Sequence, residues 1–328
     1  MYIDCNFSIS DVLGQQFSWG LNQAVALDDL DGVVASSAAA NGTSDYYVAA
    51  PLVCSFLSNC DKLIPTGLMA PIRVQLTVET TANIATVPAN LAAVTIIQPE
   101  LCFTAIDMGS AVDAMVASMG PTLLLKSRAW ANASQSLAAG TQGFSNLVYN
   151  HRFKSIENLY LISSSNNVAK ALNTWGDSFN PLGTSGVLGT VQVQVGQILI
   201  PQLPINNSNG GVASLQQYLR ECTGFLSDNR NSMAITNTGF NQYAGDGNIS
   251  LANNPAKCII AFPLSRLNAP SPYQQNSLMS GVDASSIPLN ILLNAGSAFN
   301  SAMNFYLIAE YDVIVQIDPM SKQIVVIQ

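Results

Sequence analysis

Charge is what this sequence has least of. Only 10% of its 328 residues are Asp, Glu, Lys or Arg, against roughly a quarter in an average soluble domain. Twelve Lys and Arg stand against twenty Asp and Glu, a net charge of −8, and the basic residues never cluster. Affinity for a phosphate backbone is built from dense cationic contacts, so sequence-specific nucleic-acid binding is not expected. Histidine is nearly absent: His151 stands alone. A cupin-type metal site needs several histidines on paired strands, and a hydrolytic triad needs a base beside a nucleophile and an orienting acid. One imidazole cannot build the first, and nothing around Asn150, Arg152 and Phe153 supports the second. His151 therefore reads as a buried or interfacial structural residue.

Long apolar runs are also missing. The longest, such as residues 257–264, have strand length, well short of the roughly 18 residues of a membrane span, so no transmembrane segment is expected. The start, Met1 to Cys5, lacks the basic and apolar regions of a secretory signal. Six cysteines (Cys5, Cys54, Cys60, Cys102, Cys222 and Cys258) are scattered with neither a disulfide framework nor a zinc-ligand spacing. Free thiols in a reducing compartment are the expectation. The glycine-rich stretch 182–189 holds neither a phosphate loop nor a dinucleotide fingerprint. Asp28, Asp29 and Asp31 lack the alternation and the closing Glu of a calcium loop, so they read as a solvated turn. Asp312 and Asp318 share one face of a late strand by their even spacing, with a structural or rim role. No catalytic, cofactor-binding or metal-binding residue is assigned, no cofactor is expected, and the chain does not read as an enzyme.

Apolar residues, by contrast, make up 48% of the chain and the mean hydropathy is +0.27, ample for a core. Ser, Thr, Asn and Gln must supply the surface. Such a surface lacks the mixed-charge coat that keeps monomers apart and suits a protein largely covered by neighbours.

Strand signals dominate. In residues 71–80, Ile72, Val74, Leu76 and Val78 alternate with Arg73, Gln75, Thr77 and Glu79, the period of a half-buried antiparallel strand. Residues 191–195 repeat the pattern. Further strands are expected at 122–130, 143–149, 157–163, 233–238, 257–264, 287–293, 304–317 and 323–328, separated by Gly, Asn, Ser and Pro. The first region offers fewer: 1–10, 44–48, 72–80 and 91–106. Two stretches switch to helical spacing: 109–119, with Val112, Met115, Val116 and Met119, and 212–226, with Val212, Leu215, Leu219 and Cys222 on one stripe. The spacing predicts short helices packed on a sheet. Trp19, Trp130 and Trp175 read as core or loop anchors. The segments 204–211, 239–255 and 268–285 read as long loops. The fold class is all-β, a sandwich or jelly roll.

Four stretches, in order along the chain, carry a family resemblance. Residues 63–77 run Pro65, Gly67, Pro71, Arg73 and Thr77 into a strand. Residues 99–108 lead into the first helix, residues 144–161 hold paired strands, and residues 305–318 form a closing strand. Together they resemble the double jelly-roll major capsid proteins of double-stranded DNA viruses. The likeness is to the polinton-like, adintovirus and virophage group, related to the nucleocytoplasmic large DNA viruses. The resemblance implies two antiparallel sandwiches with short helices in their connections. Residues 1–120 would form the first roll and the crossover helix, that roll being abbreviated or truncated at its N-terminal side, and 121–328 the second. It further implies a structural protein that trimerises into pseudo-hexameric capsomers tiling an icosahedral shell. Its partners would be itself, neighbouring capsomers, and minor capsid or penton proteins. Its place would be the virion, assembled inside the host cell. The alternative is a carbohydrate- or receptor-binding β-sandwich, of the viral spike or lectin-like kind.

Overall fold

Period-two alternation puts every second side chain of a strand on one face, and the strands of this chain pair accordingly. The computed structural model describes residues 64–68, 71–73, 100–111, 114, 118, 122–165, 188–206, 209–222, 260–265, 281–299, 302–319 and 323–327. In chain order the strands are β1 (Leu123–Leu137), β2 (Gly143–Tyr149), β3 (Ile156–Ser165), β4 (Leu188–Val195), β5 (Ile198–Asn206), β6 (Ile260–Pro263), β7 (Leu289–Ala295), β8 (Met303–Asp318) and β9 (Gln323–Ile327). The helix α1 (Asn209–Cys222) comes after β5 and before β6 in chain order.

The strands form two antiparallel sheets. The first has the order β1-β8-β3-β6, with β9 pairing the far end of β8; the second has the order β2-β7-β4-β5. Every connection from β1 to β8 crosses between sheets except β4 to β5. Among the described strands, that interleaving of two four-stranded sheets is a jelly roll. The β4–β5 exception is a hairpin in which Val195 pairs with Ile198. Its two-residue turn places Gly196 at φ +61°, the left-handed geometry that tight hairpins favour.

The inner faces meet in one core. Leu125, Leu159, Phe305, Leu307 and Val315 from the first sheet, with Tyr149, Val191, Val193, Ile291 and Leu293 from the second, are buried in it. α1 lies against β6 and β5, the edge strands of the two sheets. Of the stripe read from the spacing, Leu215 and Leu219 are fully buried and Cys222 nearly so. Burying each leucine contributes about 1.5–3 kcal/mol.

Several boundaries differ from the sequence reading. β1 continues to Leu137 because Ala131 to Leu137 pair residue by residue with Ala309 to Met303 of β8; backbone pairing there outweighs a polar side-chain pattern. β7 begins at Leu289 because Pro288 has no N–H for the ladder. β5 was not anticipated, and the expected loop at 204–211 does not exist, since 204–206 belong to β5 and 209–211 to α1. Residues 100–106, expected to be strand, have no regular structure and are exposed, and none of the described strands pairs with them. Residues 71–73 are likewise outside any strand. In the expected 109–119 helix, Gly109 and Ser110 form a turn, and Ala111, Ala114 and Ser118 are helical. The strands expected at 1–10, 44–48 and 233–238, most of the first roll, and Trp19 and Trp175 lie outside the described residues.

Candidate functional site

The two sheets present outer faces of opposite chemistry. β2, β4, β5 and β7 contain no Asp, Glu, Lys or Arg at all. Outward positions of the second sheet carry Asn146, Asn290, Asn294, Thr190 and Gln194 together with Phe144, Val148 and Leu292, as the alternating burial of β2 and β7 requires. Phe144 is 70% exposed and lies opposite Asn294 in the register. Gln192 closes the gap left by the β4–β5 bulge: its Nε2 donates to the carbonyls of Pro201 at 2.6 Å and Gln202 at 3.1 Å. Its four strands hold no carboxylate, amine, guanidinium, imidazole or thiol.

The first sheet holds the charges, and it holds them buried. Arg128 of β1 lies opposite Asp312 of β8, and Trp130 opposite Glu310, so these side chains share the face turned away from the core. Arg128 reaches Glu310 at 3.2 Å, and Asn158 Nδ2 donates to the other oxygen of Glu310 at 2.7 Å. Lys126 lies 3.8 Å from Asp312, and the Ser155 hydroxyl donates to Asp312 at 2.8 Å. Glu157, Glu310 and Asp312 are all nearly inaccessible to solvent. Burial pulls the Arg128 guanidinium down, but the carboxylates of Glu310, Glu157 and Asp312 outweigh it and hold its pKa above the ordinary value. Burial, then the hydrogen bond and charge of Glu157, push Asp312 up to about 7, against the pull of Ser155 and Lys126. Burial and the nearby Glu310 likewise raise the Tyr160 hydroxyl and the Cys222 thiol. Tyr160 donates to the Cys222 carbonyl at 3.1 Å, which ties the last turn of α1 to this face.

His151 is buried, and its Nε2 lies 3.0 Å from the Leu307 carbonyl, so that nitrogen carries the proton. It stacks between Tyr149 and Phe153, and Phe153 stacks on Tyr311 at 3.7 Å between ring centres. Burial lowers its pKa, against the bond to Leu307. This is the structural histidine read from the sequence. Asp312 and Asp318 do share a face of β8, Asp312 buried and Asp318 partly so, but the groups that surround Asp312 come from β1 and β3 and were not foreseen. The signal was present as Glu310 and Asp312 two residues apart within the otherwise apolar stretch Leu307–Val315 of β8. Trp130 packs on Tyr160 with ring centres 5.7 Å apart, the anchor role expected of it. Cys102 is exposed and Cys222 buried, both free. No cluster of three or more His, Cys, Asp or Glu with metal-binding geometry occurs among the described residues, and no described helix is long and apolar enough to cross a membrane.

Two further surfaces are apolar. β9 pairs with β8 along one edge, and its residues Gln323 to Ile327 are all exposed. Leu101, Phe103, Ile106 and Met108 form an exposed run before β1.

No protein-family model matches the sequence, and no curated protein matches it. Solved structures do. PBCV-1 VP54, fitted into a reconstruction of the virophage Sputnik, superposes with a TM-score of 0.36 and 10% identity, over 63% of this chain and 52% of that one. A cryo-electron-microscopy structure of the Sputnik virophage gives 0.35 and 13%, over 63% and 39%. The mavirus major capsid protein gives 0.32 and 9%, over 64% and 42%. The chain thus spans about half or less of the length of the structures to which it is similar.

Proposed function

We propose that this chain is a major capsid protein of the double jelly-roll kind, a structural component of a DNA-virus shell with no catalytic role. The observation that carries the reading is the pairing of an eight-stranded jelly roll with a sheet that bears no charge on any strand. A charge-free sheet face with an exposed phenylalanine is poorly suited to bulk solvent and well suited to burial against another subunit. The low overall charge and the ordered resemblance of residues 63–77, 99–108, 144–161 and 305–318 to that family support the same reading. In it, residues 1–120 belong to a first roll and 121–328 to the second. Three copies assemble into a pseudo-hexameric capsomer, and capsomers meet each other and minor capsid or penton proteins in the virion. A permanent trimer of this kind should bury more than about 2,000 Å², where obligate interfaces begin. Sedimentation of the purified chain at low micromolar concentration, with electron microscopy of the fractions, tests the proposal. Trimers or shells are the expected species. A well-folded chain that remains monomeric at every concentration would sink it.

One observation favours a second reading, a glycan-binding sandwich: Phe144 stands exposed beside Asn146 and opposite Asn294, an aromatic platform with amides that could bond sugar hydroxyls. Titration of the monomer with simple saccharides, followed by nuclear magnetic resonance, separates the two. Saturable shifts centred on Phe144 would favour the module over the capsid subunit.

A further inference from the structure

The crossing from the second sheet to the first carries an ionisable ring at an inward position. β2 ends at Tyr149 in the second sheet, and β3 begins at Ile156 in the first. Between them the period of two continues: Tyr149 and His151 are buried and Phe153 partly so, while Asn150, Arg152 and Lys154 are exposed. The His151 imidazole is 4% exposed, with ring centres 6.3 Å from Tyr149 and 5.9 Å from Phe153. Its Nε2 donates to the Leu307 carbonyl of β8 at 3.0 Å. On either side of it the crossing is tied down by neutral bonds. The Tyr149 hydroxyl donates to the Phe305 carbonyl, the Ala284 N–H to Phe153 and the Asp312 N–H to Ser155.

A proton taken up in acid goes to Nδ1, because Nε2 already carries one for Leu307. The ring is then a buried cation, and the described groups around it offer no counter-charge. On the crossing itself, Arg152 and Lys154 are exposed cations, Arg152 held by the Asn150 side chain at 2.7 Å. β2 and β7 carry no charged residue. On β8, Glu310 and Asp312 alternate with Leu307 and Tyr311 and so lie on the opposite face. There they are engaged by Arg128, Asn158, Lys126 and Ser155. Glu157 of β3 acts on Arg128 and Asp312. In the adjoining 281–284 segment, Asp283 is exposed and accepts the Ser285 N–H. The phenols of Tyr149 and Tyr311 carry no charge in acid. Aromatic faces attract a cation, but burial is the larger influence on this ring and holds its pKa below the ordinary value, against the Leu307 bond.

We propose that His151 is an acid-sensitive catch: neutral, it fastens the sheet-to-sheet crossing to β8, and protonated, it lets that crossing loosen. The folded chain binds fewer protons here than the unfolded one as pH falls below the ordinary histidine value of about 6.5. Stability from this group is full above that value, falls as pH drops towards the folded-state value, and is gone below it.

The test compares thermal unfolding of the full chain with that of His151→Gln, from about pH 8 to about pH 4.5. Glutamine keeps an N–H donor for Leu307 and cannot ionise. The melting temperature of the wild type, relative to the variant, should hold down to about pH 6.5 and fall by several degrees below it. Both proteins keep Asp312 and the other carboxyl groups, so their titration cancels in the comparison. A difference independent of pH, or a wild type that gains on the variant in acid, would overturn the proposal. Hydrogen exchange at the Ala284 amide, bonded to Phe153 inside the crossing, gives a local reading. Relative to the variant it should quicken by up to about tenfold per pH unit in acid; equal rates in both proteins would overturn the proposal. Nuclear magnetic resonance of the ring nitrogens needs no variant, because His151 is the only histidine. The folded chain should keep a neutral ring with its proton on Nε2 below about pH 6.5. A ring that charges at the ordinary value while the chain stays folded, or that carries its proton on Nδ1 when neutral, would overturn it.

Discussion

The hydroxyl of Tyr149, at the end of β2 in one sheet, donates a hydrogen bond to the backbone carbonyl of Phe305 on β8 in the other, at 3.1 Å. Two residues along each strand direction, His151 meets Leu307 in the same way. The chain leaving β2 is thereby pinned to β8 as it crosses from sheet to sheet, and the aromatic stack from Tyr149 to Tyr311 fills the space beneath it. Burial raises the tyrosine hydroxyl well above its ordinary range, so it stays a donor at any working pH. Tyr149→Phe keeps the ring and removes only the bond. It should cost about 1 kcal/mol, seen as a lower urea midpoint with an unchanged slope. An unchanged midpoint would mean that the ring alone holds the crossing.

A larger effect is expected at Arg128. Its guanidinium is the close cation of Glu310, and Glu157 and Asp312 lean on it at longer range. Arg128→Met leaves buried carboxylates without compensation and should destabilise the fold by about 3 kcal/mol. Adding Glu310→Leu to that variant should recover part of the loss, because the uncompensated charge is removed with its partner. Chemical denaturation of the two single variants and the double variant closes the cycle. Additive losses would show that the two side chains do not act together.

The jelly roll was legible because its strands obey period two: β2 falls where Phe144, Asn146 and Val148 alternate with Leu147 and Tyr149. α1 was legible because Leu215, Leu219 and Cys222 recur at helical spacing. β5 was hidden by Pro201 and Pro204. It tolerates them because it is an edge strand whose pairing with β4 is interrupted by a bulge. The buried charge cluster was invisible for another reason. Arg128 and Glu310 are 182 residues apart, and only the β1–β8 register brings them together. Sequence spacing reports local periodicity; it carries no information on which distant strands become neighbours.

The two described cysteines should react at very different rates. Cys102 is exposed, whereas Cys222 is buried beneath Tyr160 with its thiol raised by burial and by Glu310. Thiolate is the reactive form, so Cys222 should label only as the chain unfolds. Titration of the denatured chain should find all six thiols with or without reductant. A native chain in which Cys222 labels as fast as Cys102 would contradict the packing of α1, and three disulfides would contradict the expected reducing compartment.

Assembly should depend little on salt. Contacts between charged faces weaken as the Debye length shrinks from about 10 Å at 0.1 M to about 3 Å at 1 M. The second sheet offers such contacts nothing to screen, since none of its four strands carries a charge, and the charges of the first sheet are mostly buried among themselves. An interface built on amides, Phe144 and Val148 gains from apolar burial, which salt leaves intact or strengthens. The sedimentation profile of the purified chain should therefore keep its oligomers from about 0.1 M to about 1 M salt. Phe144→Asp should remove them, because the new charge would be buried in the contact without a partner. The same change should alter the stability of the isolated chain by less than about 0.5 kcal/mol, as at other exposed positions. Oligomers that dissolve at high salt, or survive Phe144→Asp unchanged, would place the subunit contact somewhere other than the uncharged sheet.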